Sequence, residues 1–424
     1  MSLRLEPSPG HSSSKKVRNI PVISWVIHTL CAFLLERLMK GLDAGRIRFI
    51  FPDGREIECW GKQRGPNADI QFHSYAGIFR LAFGGYTGLG EGYLAADWST
   101  TSLRSLFQFG ITNQESLRKR LAGAAPVLLL RKFLRFTERN TQKGSKRNIA
   151  YHYDLGNAFY EEWLDPSMTY SSALFEPDVK DLQDAQHAKY RRIVDQLDIQ
   201  PHHRVLEIGC GRGGFAEFAA KETGASVTGI TISREQFDYA TDRIARAGLQ
   251  KRVQIELIDY REVSGEFDRV VSIEMLEAVG EAYWPDYFRV VSNSLKEDGK
   301  AMIQVITVPD DRFENYRRKS DFIQRYIFPG GALPSVELLM GESQQANLRP
   351  FGVEDMTQHY AETMLRWRLK FEENLNEIKD LGRGDTFLRM WDYYLCYCEG
   401  GFLESAIGCV HMQFQKTESG RELA

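Results

Sequence analysis

From residue 200 onward the chain alternates between two rhythms. Short apolar runs, RVLEIGC, SVTGITIS, VQIELID, DRVVSIEML and AMIQVITV, are separated by stretches of helical spacing, including Gly214 to Glu222 and Arg234 to Ala247. Strands separated by helices of this length predict a parallel, doubly wound α/β sheet of Rossmann type, with its ligand at the carboxyl ends of the strands.

The pattern before residue 145 is different. RIRFIFPDGREIECWG (46 to 61) alternates apolar and polar positions around a Pro-Asp-Gly turn and predicts a β-hairpin within a small α+β domain. Ile20 to Leu35 is apolar, yet it carries His28, runs into Glu36 and Arg37, and is short for a bilayer span. It reads as an amphipathic helix, and no small-residue cleavage site follows that would make it a signal peptide. Residues 1 to 19 are expected to be disordered, 20 to 145 to form an N-terminal membrane-associated domain, and 146 to 424 to form the catalytic domain.

Composition narrows the classes. A chain of 424 residues, 43% hydrophobic and 26% charged, is long enough for two domains, and its net charge of −3 excludes a globally basic nucleic-acid binder. Six cysteines (31, 59, 210, 396, 398 and 409) form neither a disulfide framework nor a paired zinc motif, which fits a reducing cytoplasm and no metal. Between Arg118 and Arg147 stand ten Lys or Arg against one acid, Glu138. Such a stretch is either a solvated helix face or an attraction to anionic membrane, worth about 1 kcal/mol per basic residue near the headgroups. Nucleic acid is the weaker partner, because no interleaved stacking pattern accompanies the charge beyond Phe133 and Phe136.

The candidate chemistry begins at VLEIGCGRGG, residues 205 to 214, a strand feeding a glycine-rich turn into a helix. Glycines there let backbone approach a ligand, and the helix start offers free N–H groups. Dinucleotide and S-adenosylmethionine (SAM) enzymes both use this geometry. A dinucleotide enzyme wants an acid at the end of the second strand for the ribose, but here that strand ends in Gly229, Ile230 and Thr231, with Ser233 and Gln236 following.

YHYDLGNAFYEEWLDPSMTYSSALFE (151 to 176), VLEIGCGRGGFAEFAA, VTGITISREQ, IDYRE, IEMLEAVGEAYWPDYF, YIFPGGALPS and YYLCYCEGGF occur in one collinear order. Together they resemble the cyclopropane-fatty-acid synthase family of SAM-dependent methyltransferases over about residues 146 to 416. The resemblance implies a SAM pocket shaped by Glu207, Gly209 and Gly211, with Thr231 and Gln236 at the ribose or methionine portion, Asp259 and Tyr260 flanking adenine, and Tyr170 and Ser171 in the closing loop. It implies as substrate an unsaturated acyl chain of a membrane phospholipid, hence a cytoplasmic protein peripheral on the inner membrane face; a homodimer is left open.

An isolated alkene is a poor nucleophile, and once methylated it is a carbocation that a base must deprotonate. In the family a bound bicarbonate does this. Glu277, Ile306 and Tyr394 keep the family's residue type at the positions that hold it, while Ser172 and Gln304 stand where Cys and His are usual. Ser172 is a mild change, its contact being largely backbone. Gln304 offers a neutral amide donor and acceptor where His could carry charge, so bicarbonate would be held less strongly. Glu399, close in sequence to Tyr394, is either an alternative base or an exposed acid at a helix turn. The expected product is a cyclopropane ring; a methylene or methyl branch on the same chain, or a small-molecule N- or O-methylation, are the alternatives.

Overall fold

The structure, a computed structural model, describes residues 21–121, 155–318 and 321–417. These form two compact units: one from residues up to 121 with Arg383–Glu404, the other from residues 155–382 with 405–417. The helix Asp385–Leu403, which carries YYLCYCEGGF, therefore belongs with the N-terminal segment instead of with the domain expected to span 146 to 424. The basic stretch lies outside the described residues beyond position 121.

In the first unit, β1 (Ala44–Ile50), β2 (Glu56–Trp60), β3 (Gln63–Phe72) and β4 (Trp98–Ser99) make a sheet of order β2-β1-β3-β4. The expected hairpin is β1 with β2, paired antiparallel with Phe49 opposite Ile57. Its turn closes through Gly54 N–H to the Phe51 carbonyl at 2.9 Å, with Gly54 at φ 84°, a left-handed angle that suits glycine. Ile47 and Phe49 point into the core, while Arg46 on the other face reaches Glu58 at 3.2 Å. The helices Pro21–Met39, Tyr75–Leu94, Leu103–Thr112 and Gln114–Leu121 complete the unit with Asp385–Leu403.

The second unit is built on seven strands: β5 (Arg204–Ile208), β6 (Ser226–Thr231), β7 (Val253–Leu257), β8 (Phe267–Ile273), β9 (Leu295–Thr307), β10 (Leu348–Asp355) and β11 (Gly408–Lys416). Their order is β10-β11-β9-β8-β5-β6-β7, with β7, β6, β5, β8 and β9 mutually parallel and β11 antiparallel to both β9 and β10. Neighbouring residues on one strand feed opposite faces, as a sheet covered on both sides requires. Leu206, Val270 and Ile303 join a core with Trp284, Tyr287 and Phe288, whereas Val205, Val271 and Met302 join one with Ile193, Phe215 and Ala219. The strand order reverses between β5 and β8, so the crevice beyond their carboxyl ends is where a ligand site is expected.

Candidate active site

The glycine turn after β5 is shaped by backbone. Gly209 and Cys210 N–H both donate to the Ile230 carbonyl, at 3.0 and 2.9 Å, tying the turn to the end of β6. Gly209 and Gly211 have φ of 80° and 51°, and Gly213 at 77° begins the helix Gly214–Thr223. A Cβ on Gly209 would strike the Met275 side chain at 2.8 Å, whereas one on Gly211, which lines the pocket, would meet no atom within 4 Å.

Around this turn the structure gathers all nine residues named for the cofactor: Tyr170, Ser171, Glu207, Gly209, Gly211, Thr231, Gln236, Asp259 and Tyr260 line one pocket. Thr231 donates its hydroxyl to the Gln236 side chain at 2.8 Å and accepts from Ser233 N–H at 3.1 Å. The Asp259 carboxylate is gripped by Arg261, from Nε at 2.8 Å and Nη2 at 2.7 Å. Burial pushes the Tyr260 hydroxyl up to about 12, and burial likewise holds the Glu207 carboxyl well above its ordinary range, with Lys189 opposing. Glu207 Oε2 and the Tyr260 hydroxyl are buried with no hydrogen-bond partner among the described residues. Buried polar atoms of this kind call for a ligand, and those two with the open space over Gly211 fit a SAM molecule.

The loop carrying Tyr170 and Ser171 is fixed by residues that sequence reasoning did not single out. From the helix Leu182–Gln196, Gln186 donates to the Ser171 carbonyl at 2.8 Å and Lys189 Nζ to the Ser171 hydroxyl at 2.6 Å. Arg243 donates to the carbonyls of Ser167 at 2.7 Å and Arg212 at 3.0 Å, joining that loop to the glycine turn. Tyr170 sits among Tyr160, Trp163 and Trp367, with ring centroids 5.3 to 5.5 Å away.

Next to the pocket a polar cluster forms around Glu274, also unmarked by the sequence reading. Glu274 lies just past β8 at φ 53° and lines the pocket. Its Oε1 accepts from Ser172 N–H at 2.8 Å and from Gln304 Nε2 at 2.7 Å, and its Oε2 accepts the Tyr360 hydroxyl at 2.6 Å. On the far side of the amide, Gln304 Oε1 lies 2.9 Å from His411 Nε2. Because the amide nitrogen faces a carboxylate, the oxygen faces the ring, which makes His411 the donor through Nε2–H. Burial pushes the His411 imidazole down to about 3, so it is neutral. Glu277 Oε1 accepts Ile306 N–H at 2.6 Å, and its Oε2 has no partner among the described residues. Burial first, and the neighbouring Glu274 second, raise Glu277 to about 8. Burial also pushes Glu274 up, opposed by Tyr360, Ser172, Lys189 and Gln304.

Four of the six residues named for catalysis, Ser172, Glu277, Gln304 and Ile306, thus belong to this second unit. Tyr394 and Glu399 belong to the first. Tyr394 packs edge-on against Trp391 with centroids 5.3 Å apart. Glu399 is not an exposed acid: it is 1% accessible and forms an ion pair with Arg104 Nε at 3.0 Å. A strand-end acid three residues before Glu277, in an otherwise apolar SIEML run, was the one sequence signal for Glu274.

Comparison with known proteins agrees with this geometry. Residues 140–412 match the family described as mycolic acid cyclopropane synthetase. The tuberculostearic acid methyltransferase of Mycobacterium tuberculosis is 38% identical over 332 residues, 76% of this chain and 77% of that protein. The cyclopropane-fatty-acyl-phospholipid synthase of Escherichia coli is 34% identical over 377 residues, 84% of this chain and 90% of that one. A crystal structure of a mycolic acid cyclopropane synthase complexed with SAH and CTAB superimposes with a TM-score of 0.60 at 27% identity, covering 64% of this chain and 98% of that chain. This chain belongs to the mycolic acid cyclopropane synthetase family and is a SAM-dependent methyltransferase.

Proposed function

We propose that the protein methylates the double bond of unsaturated acyl chains in membrane phospholipids and closes a cyclopropane ring. The observation that carries this reading is the pair of carboxyl groups, Glu274 and Glu277, beside the cofactor pocket. SAM, when bound, supplies a methyl group on a sulfonium and needs no further activation. The protein's own tasks are to orient the chain, exclude water and take away one proton at the end. An alkene has no proton to lose before it is attacked, whereas the methylated cation must lose one, so a proton acceptor set in a buried wall suits this chemistry. The relatives named for fatty-acyl-phospholipid and tuberculostearic acid chemistry support an acyl substrate.

The same methyl transfer ending in a methylene or methyl branch is the second reading, favoured by the higher identity to the tuberculostearic acid enzyme, 38% against 34%. Expression in a host lacking cyclopropane lipids, followed by mass spectrometry of its phospholipid fatty acids, tests both. Ring and methylene products add the same CH2 mass, and hydrogenation with fragmentation separates them. Phospholipids left unmodified, with methyl transfer to a small molecule instead, would overturn the acyl reading.

An acyl substrate places the enzyme at a membrane surface. No helix of the described residues is long and apolar enough to cross one. The helix Pro21–Met39 instead exposes Val26, Leu30 and Phe33 at 53, 48 and 57% on a single helical face, with Arg37 and Lys40 following. Apolar side chains backed by cations suit docking into the interface of an anionic leaflet. All six cysteines are free thiols, in keeping with a reducing cytoplasm on that side.

A further inference from the structure

The donors expected to hold a bicarbonate in this family are already engaged by the protein itself. Ser172 N–H and the Gln304 amide, two of those donors, converge on one oxygen of Glu274 at 2.8 and 2.7 Å. A third, Ile306 N–H, is taken by Glu277 at 2.6 Å. A planar three-atom carboxylate held by a backbone N–H, a side-chain amide and the Tyr360 hydroxyl reproduces the acceptor face that a bicarbonate would present to them. Bicarbonate therefore does not fit here: it would have to displace a carboxylate of the same charge from three hydrogen bonds, two of them within 2.7 Å.

We infer that Glu274 is the resident anion of this active site and the base that ends the reaction, in place of a bound bicarbonate. The inference rests on the acyl-methylation reading above. In the step it assigns, a C–H bond of the methylated, cationic chain breaks. Its electron pair forms the third C–C bond of the ring, or the methylene double bond in the second reading, and the proton passes to the Glu274 carboxylate. The cation is discharged by that proton loss, and no further reactant is needed.

The rest of the cluster reads as support for a fixed anion. Gln304 can donate to Glu274 and accept from His411 at once, which a protonated histidine at 304 could not do. His411 is therefore a positioning residue that orients the amide, and it stays uncharged. Tyr360, on the helix Thr357–Glu373, holds the second carboxylate oxygen. Glu277, raised to about 8, keeps its proton at neutral pH, whereas the upward push of burial on Glu274 is opposed by the hydrogen bonds from Tyr360, Ser172 and Gln304, which favour its ionised form.

Two measurements on the full-length protein test the assignment. The first is binding of 13C-bicarbonate followed by NMR line broadening, which needs no turnover. The expected result is no saturable broadening by the native enzyme and saturable broadening by Glu274→Gly, in which the anion position has been vacated; saturable binding to the native enzyme would overturn the inference. The second is phospholipid methylation in buffer purged of CO2. Native turnover should be unchanged there, Glu274→Gln should lose about 10²-fold or more while still binding SAM by calorimetry, and added bicarbonate or formate should restore part of the rate to Glu274→Gly. A native enzyme that stalls without bicarbonate, or a Glu274→Gln variant at full rate, would refute it. If native enzyme methylates no phospholipid at any bicarbonate level, the acyl reading fails instead, and the NMR result still decides which anion occupies the site.

Discussion

At the scale of single residues, the site depends on a few positions whose alternatives can be excluded on geometry. Gly211 is one. Its φ of 51° is costly for a β-branched residue, and the residue lines the pocket with nothing of the protein within 4 Å of an added Cβ. Gly211→Val should therefore abolish SAM binding in calorimetry while the chain stays folded; binding as tight as the parent would misplace the pocket. Gln304 is another. Gln304→Leu strips His411 Nε2 of its acceptor and Glu274 of a donor, both in a buried setting. The orphaned His411 N–H costs about 1–3 kcal/mol, so the denaturant midpoint should fall with an unchanged slope. The replacement of His by Gln was visible in the sequence, but its meaning was not: it depends on Glu274 and His411, 30 and 107 positions away, meeting the same amide.

Elements carry the next set of consequences. The helix Asp385–Leu403 packs against Leu103–Thr112 because Gly400 leaves room for it: an added Cβ would sit 3.1 Å from the Phe107 Cβ. Tyr393 and Tyr397 set their rings edge-on to the same Phe107, with centroids at 4.9 and 5.5 Å. Gly400→Val should overpack this seam and destabilise the first unit by about 1–3 kcal/mol, seen as a lower melting temperature in near-UV circular dichroism. The Arg104 pair gives Glu399 the same structural character, so Glu399→Gln is expected to lower stability and leave the pH dependence of turnover in place. On the opposite side of the ledger of exposure stands the helix Pro21–Met39. Replacing Leu30 and Phe33 by Ser removes apolar surface that water already touches. Partitioning onto anionic phospholipid vesicles should fall several-fold with little change in melting temperature; unchanged partitioning would assign this face to ordinary solvated surface.

For the whole molecule, the buried ionisable groups set how stability responds to pH. His411 titrates near 3 when folded and 6.5 as a free group, so between those values the unfolded chain holds more protons and stability rises with pH. Glu277 runs the other way. It titrates near 8 when folded and 4.5 as a free group, so the folded chain holds the extra proton and stability falls as pH climbs between them. Across the overlap the two slopes oppose each other, and from pH 6.5 to 8 only the Glu277 slope of this pair remains. Glu207, also pushed upward by burial, adds to a fall with pH in the same sense. Denaturant midpoints should therefore decline from pH 6.5 to 8 in the native enzyme and decline less in Glu277→Gln; equal declines would mean that Glu277 is ionised at neutral pH.

The α/β class, the hairpin at 46 to 61 and the glycine turn were legible in the sequence because each follows from local rules, apolar periodicity and turn residues, whereas the other pocket-lining positions came only from the resemblance of several collinear motifs to a family. Tertiary structure alone decided what those rules do not reach. It assigned the helix Asp385–Leu403 to the N-terminal unit, because packing against Phe107 depends on a neighbour almost 300 positions away. It placed Glu399 in a buried ion pair with Arg104, and it set the Glu274 carboxylate on the donors expected to hold bicarbonate. Hydrogen bonds and ion pairs act over about 3 Å of space regardless of distance along the chain. A sequence displays which groups could form them, and only the fold determines which groups meet.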